Sequence, residues 1–306
     1  MRELSHWDDA ASETADLGTI GGTEHWLSGA VGAQRLGASR VVVLPGKAST
    51  PQHAEDEEVF YVLGGSGWSV QEDGCFAVAA GDVVFYRAWE PAHTLVAGDE
   101  GIEYIAFGTT DSENGGVRFP RIDKVRLAGH LLSGDHTHQW ELEAKLPRIE
   151  VSDPPDPRPT TIVNVADLEP VNYDAGPAQA EAWFLTRGLG ARGIALNRAD
   201  LRPGGESAPL HCHSAVEELF VVLEGDGVLL LGSDEAEHPV GTGSIVGRPA
   251  GTGQAHGFRA GDDGLSMLMF SDKHPGDMTF YPRSGKVTLR GLGITFQPEI
   301  VPWADA

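Results

Sequence analysis

The second half of this 306-residue chain repeats the first, and that duplication constrains the fold before any other feature does. Ser39-Arg40 with Pro45-Gly46 recurs as Asn197-Arg198 with Pro203-Gly204, an offset of 158. Ser49-x-Pro51-x-His53 recurs as Ser207-x-Pro209-x-His211 at the same offset. Glu58-x-Phe60-x-Val62-Leu63-x-Gly65 then matches Glu218-x-Phe220-x-Val222-Leu223-x-Gly225 at 160, and Gly81 matches Gly243 at 162. Phe119-Pro120-Arg121-x-x-Lys124-Val125 matches Tyr281-Pro282-Arg283-x-x-Lys286-Val287, again at 162. A period this long means two domains of one fold and excludes a solenoid of short repeats.

Within each copy the units are short. Residues 40–44 read as a buried strand ending at Pro45-Gly46, 58–63 as another before the glycine-rich turn 64–67, and 76–79, 81–86 and 103–107 continue the meander. Strands at roughly ten-residue spacing predict an all-β sandwich or barrel. Forty glycines and nineteen prolines agree with turns in preference to helices. Four prolines within residues 152–159 mark an extended spacer, so the predicted division is 1–151, a linker at 152–160, and 161–306. Residues 1–20 are polar and read as a loose arm or edge strand.

Net charge narrows the partners. A formal charge of −23 repels phosphate backbones and anionic lipid, so nucleic acid and membrane are not expected, and a small molecule is. No basic-then-apolar leader and no long apolar run is present, and only Cys75 and Cys212 are available for thiol chemistry. A cytoplasmic protein without disulfides is the expectation.

Chemistry concentrates in one stretch of the second copy. His211 and His213 stand at i and i+2, and Glu218 follows five residues later. In an extended strand alternate side chains share a face, so the two imidazoles point one way and Cys212 the other, as a small buried hydrophobe. Two imidazoles and a carboxylate suit a divalent transition metal: zinc, iron, nickel or manganese, with copper also compatible. His256, after Gly243, Pro249 and Gly251, supplies a fourth ligand. His136-x-His138 has the same spacing without a carboxylate strand and reads as surface histidines.

Gly205-x5-His211-x-His213-x4-Glu218-x6-Gly225, followed by Gly243-x5-Pro249-x-Gly251 and His256, resembles the two signatures of the cupin superfamily. The second departs from the usual pattern, with four residues before His256 and Ala260 where asparagine is common. The resemblance implies two tandem cupin barrels (double-stranded β-helix, or jelly-roll), with a metal held by His211, His213, Glu218 and His256. It also implies dioxygenases, decarboxylases and isomerases as precedents.

The first copy is shorter where it matters. The step from 158 to 160 falls between His53 and Glu58, which removes two residues and one histidine. The alignment puts His53 at the place of His211, Glu58 at Glu218 and His93 at His256, a weaker second site. Pairing His53 with His213 instead leaves Pro51 opposite His211, again one ligand short. Glu55 or Asp56 is available to fill the gap. Arg87 and Trp89 replace Pro249 and Gly251, which predicts a bulkier cavity mouth.

Two functions therefore compete: a small-molecule metalloenzyme centred on the second copy, or a barrel that holds metal and ligand without turnover. No general base is assigned, since alternation turns Glu217 away from the Glu218 face. The Phe/Tyr-Pro-Arg segments suit a capping or homodimer strand. No helix-turn-helix, phosphate loop or nucleophile elbow is present.

Overall fold

The computed structural model describes residues 3–54, 56–88, 92–109, 116–127, 130–131, 138–152 and 157–299, with 53–54, 127 and 130–131 described by backbone alone. Two eight-stranded antiparallel sheets and two four-stranded ones account for its strands. The first large sheet runs in the order Ile162–Asn164, Asp82–Tyr86, Glu58–Gln71, His93–Thr109, Leu36–Val43, Ile20–Trp26, Ser12–Leu17, with Gly74–Ala79 paired beside Glu58–Gln71. The second follows the same order: Leu4–His6, Ser244–Arg248, Glu218–Leu231, His256–Asp272, Ile194–Leu201, Ala178–Trp183, Val171–Ala175, with Ala236–Gly241 beside Glu218–Leu231. The duplication read from sequence is thus a duplication of topology.

Each sheet borrows its edge strand. Leu4–His6, at the N-terminal end, pairs with Ser244–Arg248 in the second sheet. Ile162–Asn164, just after the proline-rich segment, pairs with Asp82–Tyr86 in the first. The residues on either side of the predicted linker are therefore tied across it. The arm at residues 4–6 is an ordered edge strand.

Strand alternation builds three cores from two sheets. In Glu58–Gln71, Phe60 and Val62 point into the first barrel, while Val59 and Tyr61 point outward. In Glu218–Leu231, Phe220 and Val222 fill the second barrel, and Leu219 and Val221 point outward. The outward residues of both sheets meet in one shared core with Leu36, Phe107, Leu196 and Phe270. Phe107 and Phe270 lie with ring centroids 4.9 Å apart. Burying a side chain of that size contributes about 1.5–3 kcal/mol, so the barrels are held face to face mainly by this layer.

Two glutamates lock the same interface. The Glu217 carboxylate accepts backbone N–H bonds from Gln34 at 2.8 Å, Arg35 at 2.6 Å and Leu36 at 3.1 Å. Glu57, its counterpart, accepts from Arg192 at 2.9 Å and Gly193 at 2.8 Å. Glu217 is turned away from the Glu218 face, as alternation required. Glu217→Ala would leave the buried Leu36 N–H unpaired, at about 1–3 kcal/mol, and strip the acceptor from the part-buried Gln34 and Arg35 N–H groups. The thermal midpoint is expected to fall by roughly 2–6 °C; scanning calorimetry checks this, and an unchanged midpoint would contradict the clamp.

One glycine shows why the signature is backbone chemistry. Gly225 has φ +82°, and a Cβ there would sit 2.1 Å from the Gly264 carbonyl oxygen. Gly65 repeats this in the first barrel, with φ +74° and 2.2 Å to the Gly101 oxygen. Both mark the bulge where the long strand bends into the barrel.

Candidate metal centre

His211, Glu218 and His256 bring one ligand atom each to within 4.8 Å of one another, the only such triplet of potential ligands among the described residues. His211 bridges His256 across the barrel mouth through backbone pairing. Glu218 opens one long strand and His256 opens the next, so two strand starts and one crossing loop converge. His256 Nε2 lies 2.9 Å from Glu218 Oε2, and His213 Nε2 lies 3.4 Å from the same oxygen.

Two of the three rings, His211 and His213, are fixed from behind, whereas His256 Nδ1 is buried without a partner. His211 Nδ1 bonds the Pro209 carbonyl oxygen at 2.8 Å, so Nδ1 carries the proton and Nε2 faces inward. His213 Nδ1 lies 2.7 Å from the Asp277 carboxylate, which is buried and also accepts N–H bonds from Ala215 and Val216. The inward atoms His213 Nε2, Glu218 Oε2 and His256 Nε2 are buried without a hydrogen-bond partner. Orphaned lone pairs aimed at one point are what a cation would satisfy. The residues present therefore fit a divalent metal.

Electrostatics agree. Burial, then the neighbouring His256, push His211 down to about 4. Burial also lowers His256. Burial would raise the Glu218 carboxyl, but contact with His256 and the other two imidazoles outweighs it and holds the group well below the ordinary carboxylate range. Neutral imidazoles around an ionised carboxylate are the protonation state that ligation needs.

Asp277 and Arg248 were not found from sequence. Asp277 stands 64 positions from His213 and belongs to no motif; at the repeat offset of 162 its counterpart is Gly115, and that asymmetry was the available signal. Arg248 pairs directly across from Glu218 and lines the cleft beside His256. Arg248 is 3% exposed, and its guanidinium bonds Glu3 and Gln254 and leaves Nε without a partner. Carboxylates behind a ligating histidine typically tune affinity 10–100-fold. Asp277→Asn is therefore expected to weaken metal binding by about that factor, measured by competition with a metallochromic chelator; an unchanged affinity would leave Asp277 a structural residue only.

Cys212 faces the opposite way, buried with Leu210, Leu230 and Ala255, and burial raises its thiol. His138 caps the helix Gln139–Glu143 by accepting from the Trp140 N–H, and His136 lies outside the described residues. In the Tyr-Pro-Arg segment only Tyr281 belongs to a strand: Met278–Tyr281 pairs with Cys212–His213 in a small four-stranded sheet, and Pro282 and Arg283 lie in the turn that follows.

The first barrel requires a correction. Gln52, not His53, forms the backbone bridge to His93 that His211 forms to His256. His53 pairs with Arg118 and Ala54 with Val117, whereas Cys212 pairs with Phe280 and His213 with Thr279. Residue 53 thus takes the register of Cys212, and both sequence alignments misplace it by one residue. The cause is that the two-residue loss falls partly before and partly after this strand, which a single gap hides. What remains is Glu58 Oε2 at 3.1 Å from His93 Nε2, with the Gln52 amide donating to Glu58 at 3.1 Å. Glu55 and Trp89 lie outside the described residues. A space of about 600 Å³ opens in the first barrel, without Arg87 among its described lining residues, while the cleft at Glu218 and His256 is far smaller.

The cupin domain family matches residues 197–271. No curated protein matches the sequence. Among solved structures, an oxalate decarboxylase from Lactobacillus farciminis, in complex with formate, aligns with a TM-score of 0.63 at 18% identity, over 92% of this chain and 88% of that one. A Bacillus subtilis oxalate decarboxylase studied for its Mn(II) centres aligns with a TM-score of 0.63 at 17% identity, over 90% and 78%. Similarity at this identity carries the fold. The chain has the two-barrel fold of these bicupin structures, and residues 197–271 of its second barrel match the cupin domain family.

Proposed function

We propose that this bicupin is a metal-dependent enzyme acting on a small carboxylate-bearing molecule, with its metal in the second barrel. The carrying observation is the set of orphaned inward atoms on His213, Glu218 and His256 beside the inward face of His211. A divalent metal held there would supply a Lewis-acid centre with positions left open for substrate. The protein's own part is to converge these donors and to present Arg248 beside the cleft. A guanidinium next to the metal favours a substrate with an acidic group. The similar solved proteins act on oxalate, one bound to formate, which agrees with a small acid as substrate class.

Among the dioxygenase, decarboxylase and isomerase types, the decarboxylase reading is favoured by Arg248 and by these neighbours. The competing reading is a module that holds metal and ligand without turnover. Metal reconstitution followed by aerobic and anaerobic screening of small mono- and dicarboxylates tests the two. Turnover lost in the His211→Ala variant is the expected result. Saturable carboxylate binding without conversion under either atmosphere would favour the module.

A further inference from the structure

We propose that the first barrel is a metal-free binding site for a small organic cation, an amine on an aromatic or aliphatic body. It is separate from the second-barrel reaction and stands on the contrast between the two barrels.

The about 600 Å³ cavity is the size of a site for a small organic ligand. Among the described residues its metal-type side chains are too few for an ion, because Gln52 stands in the register of His211 and Ala54 in that of His213. The acidic residue of the set persists. Glu58 lines the cavity, held by the Gln52 amide, with His93 beside it at 3.1 Å. His93 is buried, and its Nε2 lacks a hydrogen-bond partner.

The charge around that carboxylate is opposite to the second barrel's. Glu218 pairs across the sheet with Arg248, whereas Glu58 pairs with Tyr86. Tyr86 stacks on His93 at 3.6 Å and bonds Ser69 at 2.8 Å, and burial keeps its phenol neutral. Glu24 and Asp56 add two further carboxylates to the described lining, against one guanidinium, Arg126. Arg126 lies over the Phe119 ring, 5.7 Å from its centroid.

Aromatic faces complete the site. Phe60 and Tyr104 stack with centroids 5.0 Å apart, and Trp26 and Trp140 also line the cavity. Trp26 is 41% exposed, a large apolar side chain left open. Carboxylates combined with aromatic faces attract an ammonium group by charge and by cation–π contact. A carboxylate ligand would face three like charges.

Isothermal titration calorimetry on the intact chain near neutral pH tests this. Phenethylamine and tryptamine serve as probes, and phenylacetate and indole-3-acetate as anionic counterparts with the same rings. Both amines are expected to bind saturably, at least about 10-fold tighter than the matching acids. Glu58→Gln is expected to weaken the amines at least about 10-fold, and Glu24→Gln to weaken them less, while His211→Ala leaves them unchanged. Circular dichroism on each variant separates lost binding from lost folding, and Glu24→Gln carries the test if Glu58→Gln does not fold. Acids binding as tightly as amines, absence of saturable amine binding, or loss of amine binding in His211→Ala would each overturn the proposal.

Discussion

Replacing His211 and His213 together with alanine is expected to abolish stoichiometric metal binding while leaving the fold intact. Two of four donors are removed, which leaves only Glu218 and His256, 2.9 Å apart. Losing strong nitrogen donors lowers affinity by several powers of ten. The fold survives because neither ring belongs to a main hydrophobic core. The His211 rear bond goes only to the Pro209 carbonyl, and His213 is held from outside by Asp277. Elemental analysis after loading and dialysis is expected to give less than about a tenth of an equivalent. A full equivalent retained by the double variant would remove this site from the account.

The second large effect is an asymmetry. His256→Ala is expected to strip most bound metal, whereas His93→Ala strips little, although the two residues occupy matching strand starts. His256 completes a set of three donors within 4.8 Å of one another, with His213 beside them. His93 faces a single carboxylate that an amide already occupies. Equal losses in the two variants would mean that the first barrel holds metal through a residue outside those described, Glu55 among them.

Much of this was legible in the sequence, for identifiable reasons. The repeat and the alternation in residues 58–63 and 218–223 were readable because strand period is a local property. It even separated Glu217 from Glu218 correctly. The convergence of His211, Glu218 and His256 was readable because spacing along two strand starts carries the geometry. What sequence did not show was set by pairing between distant strands. Asp277 meets His213 only because Met278–Tyr281 pairs with Cys212–His213. Gln52 replaces His211 through a register that only the backbone bridge to His93 reveals. The exchange of Leu4–His6 and Ile162–Asn164 between barrels likewise leaves no local pattern, since any short apolar strand can close either edge.

The central claim is that one barrel of this bicupin holds a metal and the other does not. Anomalous diffraction from crystals of metal-loaded protein, collected at the absorption edge of the metal supplied, tests it most directly. The account predicts one peak per chain, enclosed by His211, His213, Glu218 and His256, and none beside Glu58 and His93. A second peak of comparable height between Glu58 and His93, or a single peak there instead, would contradict it.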